Sequence, residues 1–409
     1  MPDGTFGTAN TIYDIMYDID LLGNTITPAD GVVIRYCGGK IKNGTIRLRR
    51  SVIIDCPDVQ FFENVTILKA YQVLKDIWFD DIWLALSGVT DTQNDFACIA
   101  ISLSKDHTID FKHGQISAFD GNGRKLTIYG NGNKITVNNT YRKSGGFLFS
   151  CYNVALYDLN IVLQDTSIQT YDAMFDTANL FMRNVSYVGY SRFAANSSRA
   201  HYRFAALELH DCDLRSTAFL FEGFYNKVKF YNCKLRYIDP IVRQLYELIS
   251  IGASVANTTV DECYVEAYDT YIGGVWEITP GTGLNSNGDV VTNSYDDTWV
   301  SVYTYSYMKF HNCELVRFTT DNGSEKQGNT NVIYEDCHFK ICNMPWRGSC
   351  ISTVTYKNCW IDIFGGSVGT NVGAFNFWNL KSARFEGCTF RNTSFTDHDV
   401  TMVGSTAYP

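Results

Sequence analysis

Proline and positive charge are both scarce in this sequence: 7 prolines are scattered over 409 residues, and 34 lysines and arginines face 43 aspartates and glutamates. So little proline, with no Gly/Ser-rich stretch, excludes a low-complexity linker. A net charge of −9 at pH 7 argues against nucleic acid, which is normally held by a basic patch, so no such partner is expected. No stretch approaches the roughly 18 consecutive apolar residues of a membrane span. The start "MPDGTFGTANTIYD" has no basic segment followed by an apolar one. Neither a membrane partner nor a signal peptide is expected, and synthesis in the cytoplasm follows. Cysteine is not scarce, at 13 copies, but no CxxC pair or Cys/His cluster has the spacing of a zinc site. No metal and no cofactor is expected, and the cysteines read as thiols kept in a reducing compartment.

What the chain does have is an internal repeat. "VKFYNCKLR", residues 228 to 236, recurs as "LELHDCDLR" from 207, "TVDECYVEA" from 259 and "MKFHNCELV" from 308. Further copies are "VIYEDCHFK" from 332, "VTYKNCWID" from 354 and "ARFEGCTFR" from 383. Each copy alternates apolar and polar residues, passes one turn residue, and alternates again, which is two short strands of period two. The turn residues Asp211, Asn232, Asn312, Asp336, Asn358 and Gly387 are types that tolerate a left-handed backbone, and Asp158 and Asn184 fit two cysteine-free copies. In "TVDECYVEA" the turn falls on Glu262, a departure from that rule. The next position points inward and carries Cys212, Cys233, Cys263, Cys313, Cys337, Cys359 and Cys388, so stacked coils build an interior ladder of small, weakly polar thiols.

A repeat of this kind extends in one dimension, so 409 residues fit one elongated solenoid better than several compact domains. The fold class read from it is all-β, a parallel β-helix of three-sided coils. Residues 1–78 form a β-rich N-terminal attachment segment with the first coils. Residues 79–120 form a linker with a short capping helix, in which Thr90 or Asp91 caps and Phe96, Ile99, Ala100 and Leu103 share one face. Residues 121–409 form the main β-helix, with an aromatic-rich insertion at about 267–306.

"GGKIKNGTI" (38–46), Trp78 with Phe79, and "GVTDTQNDFACIAIS" (88–102) carry a family resemblance. The chain resembles the right-handed, single-stranded parallel β-helix proteins of pectin-lyase type found as bacteriophage tailspikes and in gut Bacteroidetes and their phages. In place of the Gly-Ala that follows Trp-Phe in that family stands "DDIWLALS". The resemblance implies a homotrimer on the virion surface, joined to other virion proteins through its N-terminal segment, that binds or depolymerises a bacterial surface polysaccharide. A secreted or cell-surface bacterial protein is the alternative. If it is an enzyme, it is a polysaccharide lyase or glycoside hydrolase. A non-catalytic structural or receptor-binding fibre is the other function class. No catalytic residues transfer by motif.

Aligning the copies puts outward residues of successive coils about 4.8 Å apart in columns. His210 then stands beside Tyr231 and Asp261, and Glu208 beside Lys229 and Thr259. Past the turn, Asp213 stands beside Lys234 and Tyr264, and Arg215 beside Arg236 and Glu266. Glu208, His210, Asp213, Tyr231, Asp261 and Glu266 are the candidate catalytic groups, because lyase and hydrolase chemistry needs acids and bases within proton-transfer reach. Arg215, Arg236 and Tyr264 are candidate substrate-binding groups, with Trp276 and Trp299 of the insertion as ring-stacking platforms over that face. The bland alternatives are surface ion pairs of little weight, such as Asp213 with Lys234, and aromatics that pack the insertion or a subunit interface.

Overall fold

The computed structural model describes residues 5–48, 51–56, 59, 61–68, 72–75, 98–110, 125–138, 147–150, 153–163, 173–189, 192–196, 206–216, 220–223, 225–237, 247–251, 263–274, 298–302, 306–316, 318–322, 330–342, 346–348, 352–363, 375–377, 381–392 and 403–404. Every secondary-structure element among them is a strand, and every described strand pairing is parallel. The chain divides into two units, Met1–Ser186 and Tyr187–Pro409.

In the first unit the strands Ile12–Ile15, Val33–Tyr36 and Ile53–Asp55 are successive rungs of one sheet, and Ile41–Arg47 and Phe62–Leu68 are rungs of another. Ile34, Ile41, Ile46 and Ile54 are fully buried, as alternation requires of the inward side. Asn43 and Asn64 bend the chain with positive φ, and the Asn64 amide donates to Asn43 Oδ1 at 3.1 Å. Cys98–Ser102 is a strand held between Gln72–Lys75 and Lys125–Tyr129. The capping helix expected to run to Leu103 is therefore corrected over these residues, while Thr90, Asp91 and Phe96 lie outside the described residues. Ala100 and Ile101 are both fully buried; a strand covered on both faces reads as a continuous apolar run, which sequence spacing does not separate from a helical stripe.

Coils of the second unit each hold three strands. One coil is Ala206–His210, Asp213–Ser216 and Phe221–Gly223, and the next is Lys227–Tyr231, Lys234–Tyr237 and Glu247–Ile251. The pattern continues through Cys263–Tyr268, Tyr271–Gly274 and Thr298–Val302, and then through Ser306–His311, Glu314–Val316 and Phe318–Asn322. First strands pair with first strands of adjacent coils, second with second and third with third. This is the stacking of a parallel β-helix.

The sharp bend between first and second strands is a single residue of positive φ, found at Asp211, Asn232, Asp269, Asn312, Asp336, Asn358 and Gly387. Cys212, Cys233, Cys313, Cys337 and Cys359 follow these bends and are buried, with Cys388 partly so. Their thiols donate to backbone carbonyls. Cys359 Sγ reaches Lys357 O and, on the coil below, Tyr334 O, each at 3.4 Å, and Cys337 reaches Glu335 O and Phe310 O in the same way. A small side chain that can donate weakly is what this corner accepts. Alongside, Phe310, Tyr334, Tyr356 and Phe385 form a ring ladder, with Tyr334 and Tyr356 stacked at 5.0 Å.

One copy of the repeat is misread by sequence alignment. The bend in that coil is Asp269, and the residue after it is Thr270, buried, with its hydroxyl donating to Tyr268 O at 2.7 Å. The true copy is "VEAYDTYIG", 265 to 273, while Cys263 opens the first strand opposite Ser306 and Glu262 lies outside the described residues. The cysteine draws the alignment away from a threonine that fills the same corner.

Candidate functional site

The corrected register rearranges the predicted columns. On the first-strand sheet, Glu208, Lys229, Glu266 and Lys309 stand in one column, and His210, Tyr231, Tyr268 and His311 in the next. Glu266 therefore faces Lys229 rather than Arg236, and Tyr264 faces Lys227 rather than Lys234. Asp261 lies outside the described residues, and Tyr268 occupies the position assigned to it.

Alternation sends these side chains outward, where residues two apart on one strand and residues one coil apart both come within pairing distance. Glu208 Oε1 lies 2.8 Å from His210 Nε2, and Lys229 Nζ lies 3.0 Å from Glu266. The Glu266 carboxylate holds Lys229 above its ordinary pKa. His210 and Tyr231 stack at 4.7 Å and 14°, and Tyr231 and Tyr268 at 5.4 Å and 5°. The ring faces are thereby turned on one another, and Lys229 also approaches the Tyr231 ring and hydroxyl. Partial burial, reinforced by Glu266, raises the Tyr268 phenol, which stays protonated and donates at neutral pH.

Past the bend, Asp213 pairs with Lys234 in register but is bound by arginines, Arg236 on the next coil and Arg215 at 3.3 Å on its own strand. Burial of Asp213 opposes its ionisation, and the two guanidiniums outweigh that and hold it below the ordinary carboxylate range. With its oxygens so engaged, Asp213 is an anchor for the arginines rather than a proton donor. The structure thus brings together Glu208, His210, Tyr231 and Glu266 on the first strands of successive coils, and Asp213, Arg215 and Arg236 on the second strands, past the bend. Trp299 belongs to Thr298–Val302, a rung of the third sheet between Glu247–Ile251 and Phe318–Asn322, so it is part of a coil rather than an overhanging loop. Trp276, with the rest of 275–297, lies outside the described residues.

Sequence reasoning misses a second constellation. In the coils from His338 to Arg391, column neighbours His338 and Trp360 stand beside column neighbours Asp362 and Arg391. Asp362, its side chain 7% exposed, receives Arg391 Nε at 2.9 Å and Nη2 at 2.7 Å, Trp360 Nε1 at 2.9 Å, and lies 3.2 Å from His338 Nε2. Burial opposes its ionisation, and these hydrogen bonds, Arg391 foremost, hold it below its ordinary value. Aligning "DCHFK", "NCWID" and "GCTFR" by their cysteines reveals these columns in the sequence. Only Trp360 stands out without that alignment, as an outward apolar residue.

Among the described residues no group of three or more His, Cys, Asp or Glu side chains is placed to hold a metal ion. None of their elements is a helix long and apolar enough to cross a membrane. The chain matches no protein-family model, no curated protein and no solved structure.

Proposed function

We propose that this protein is a glycan-binding β-helix of the kind carried by bacteriophage tailspikes, which holds a bacterial surface polysaccharide along its outward first-strand sheet. The observation that carries the reading is the pair of adjacent columns, Glu208 to Lys309 and His210 to His311, which set acid, base and phenol side by side at one-coil spacing on parallel strands in register. A rigid surface with a repeat of its own suits a polymer that also repeats. Its charges are held in pairs and the Tyr268 phenol stays protonated, an arrangement for directional hydrogen bonds to hydroxyls. Binding without turnover is the reading these groups favour.

One contact supports depolymerisation as a second reading. Glu208 orients the His210 imidazole at 2.8 Å, as a carboxylate does for a general base. A glycan array of bacterial capsular and lipopolysaccharide oligomers tests binding, and release of unsaturated or reducing ends from the bound glycans tests turnover. Tyr231→Phe with Glu266→Gln is expected to weaken array binding about tenfold, as the loss of two surface hydrogen bonds does. An array on which no glycan is retained sinks the proposal.

A further inference from the structure

The geometry points to the Trp360, Arg391 and His338 cluster as a separate subsite for an acidic sugar, a pyranose bearing a carboxylate. This inference rests on the glycan reading above and adds to it a place and a chemical class.

The cluster is built around Asp362. Its carboxylate is out of solvent and takes hydrogen bonds from groups on three consecutive coils: the imidazole from the coil below, the indole from its own strand and the guanidinium from the coil above. What it orients remains open to solvent. Trp360 is 46% exposed, and the side chains of Arg391 and His338 are 56% and 35% exposed. A large, half-exposed indole on a β-sheet face loses rotamer freedom only when something fixes it, and here the Nε1 hydrogen bond to Asp362 does so.

The arginine is presented in the same way. Arg391 spends its Nε and one Nη2 hydrogen on Asp362, which leaves the donors of Nη1 and the other Nη2 hydrogen without a partner among the described residues. A guanidinium locked along one edge offers the other as a preset fork for a carboxylate. Its carbon lies 5.7 Å from the indole centroid, so an anionic substituent held by Arg391 leaves its ring within reach of the Trp360 face. The His338 ring, 5.9 Å from the indole, bounds the subsite with a polar edge. A neutral sugar gains the indole but leaves the fork unused; a small anion gains the fork but leaves the indole wet. A carboxylated pyranose uses both.

Calorimetric titration of the full chain tests this with oligogalacturonate, oligoalginate and oligosialic acid, each against its carboxyl-reduced counterpart. At least one acidic probe is expected to bind about tenfold or more tighter than its reduced form, the preference shrinking as salt is raised. Arg391→Gln is expected to abolish the preference while leaving the weaker neutral binding in place. Trp360→Ala is expected to weaken both. Should Arg391→Gln fail to fold, the wild-type preference and its salt dependence still decide. Equal binding of acidic and reduced probes, or a preference that survives Arg391→Gln, overturns the inference. Retention of neutral glycans only, with every acidic probe silent, overturns the subsite and leaves the glycan reading standing, whereas a protein that retains no glycan at all overturns both.

Discussion

At the corner of each coil one residue must adopt a left-handed backbone and still sit beside its own copy in the next coil. From Asp158 to Asn358 the residues at these corners alternate: Asp158 with Asn184, Asp211 with Asn232, Asp269 with Asn312, Asp336 with Asn358. In each pair the asparagine amide donates to the aspartate Oδ1 on the neighbouring coil, at 2.8, 2.7, 2.6 and 3.2 Å. Two stacked aspartates would repel and two stacked asparagines would lose the charge-assisted bond, so alternation is the better-paired order. From Asp211 onward the position after the bend holds a small donor whose hydrogen reaches the carbonyl two residues back, as Cys233 and Thr270 both show, whereas Leu159 and Val185 fill it in the two earlier copies by apolar packing alone. Thr270→Cys is therefore expected to change stability by less than about 1 kcal/mol. The new thiol should resist labelling in the folded protein, as burial also protects Cys337 by raising its pKa. Rapid labelling at position 270 would place that residue outside the core and undo the pairing of Tyr271 with Glu314 that depends on it.

Strands are matched at the level of the coil. Arg236 faces Gly273, and Gly273 faces Val316. A Cβ on Gly273 would meet Val316 O at 2.1 Å and Val316 Cβ at 2.9 Å, on a backbone with φ of +157°. Neither the carbonyl nor the β-carbon yields without moving the rung. Gly273→Ala is expected to cost about 2 to 3 kcal/mol in urea unfolding, through overpacking and backbone displacement. A loss below about 0.5 kcal/mol would show that the second strand of this coil leaves room for a methyl group beside Val316.

On the scale of a whole unit, a stack of coils has no single centre, and stability is a sum of contacts between neighbours. Groups that clamp several coils carry unusual weight, and Asp362 joins three. Its folded pKa lies below the ordinary value, so its contribution is fully present above about pH 4 and is lost as pH falls through the folded value. Asp362→Asn is expected to cost about 2 kcal/mol at pH 7, the scale of hydrogen bonds to a charged group. The gap between variant and wild type should close on acidification, as the wild-type carboxyl takes up its proton. Thermal melts across that range check it, and a gap that widens in acid would mean that Asp362 is held protonated.

Period-two alternation, left-handed turn types and a recurring small residue were enough to determine stacked parallel strands, the bends at Asp211, Asn232, Asn312, Asp336, Asn358 and Gly387, and an inward thiol ladder. Each of these is a local requirement that a residue type meets by itself. Register was not local. Whether Cys263 or Thr270 fills a corner depends on which carbonyls and which neighbouring coil it meets, and only the pairing of Lys229 with Glu266 decided that. The same holds for the sites. Glu208, His210 and Tyr231 share a face because adjacent copies align correctly by their cysteines, whereas Tyr264 and Glu266 changed columns with the register. Asp362 became a centre only once residues from three coils converged on one buried carboxylate. A side chain's chemistry is written in the sequence, but its partners are set by the stacking of coils, which places residues far apart in the chain within hydrogen-bond distance.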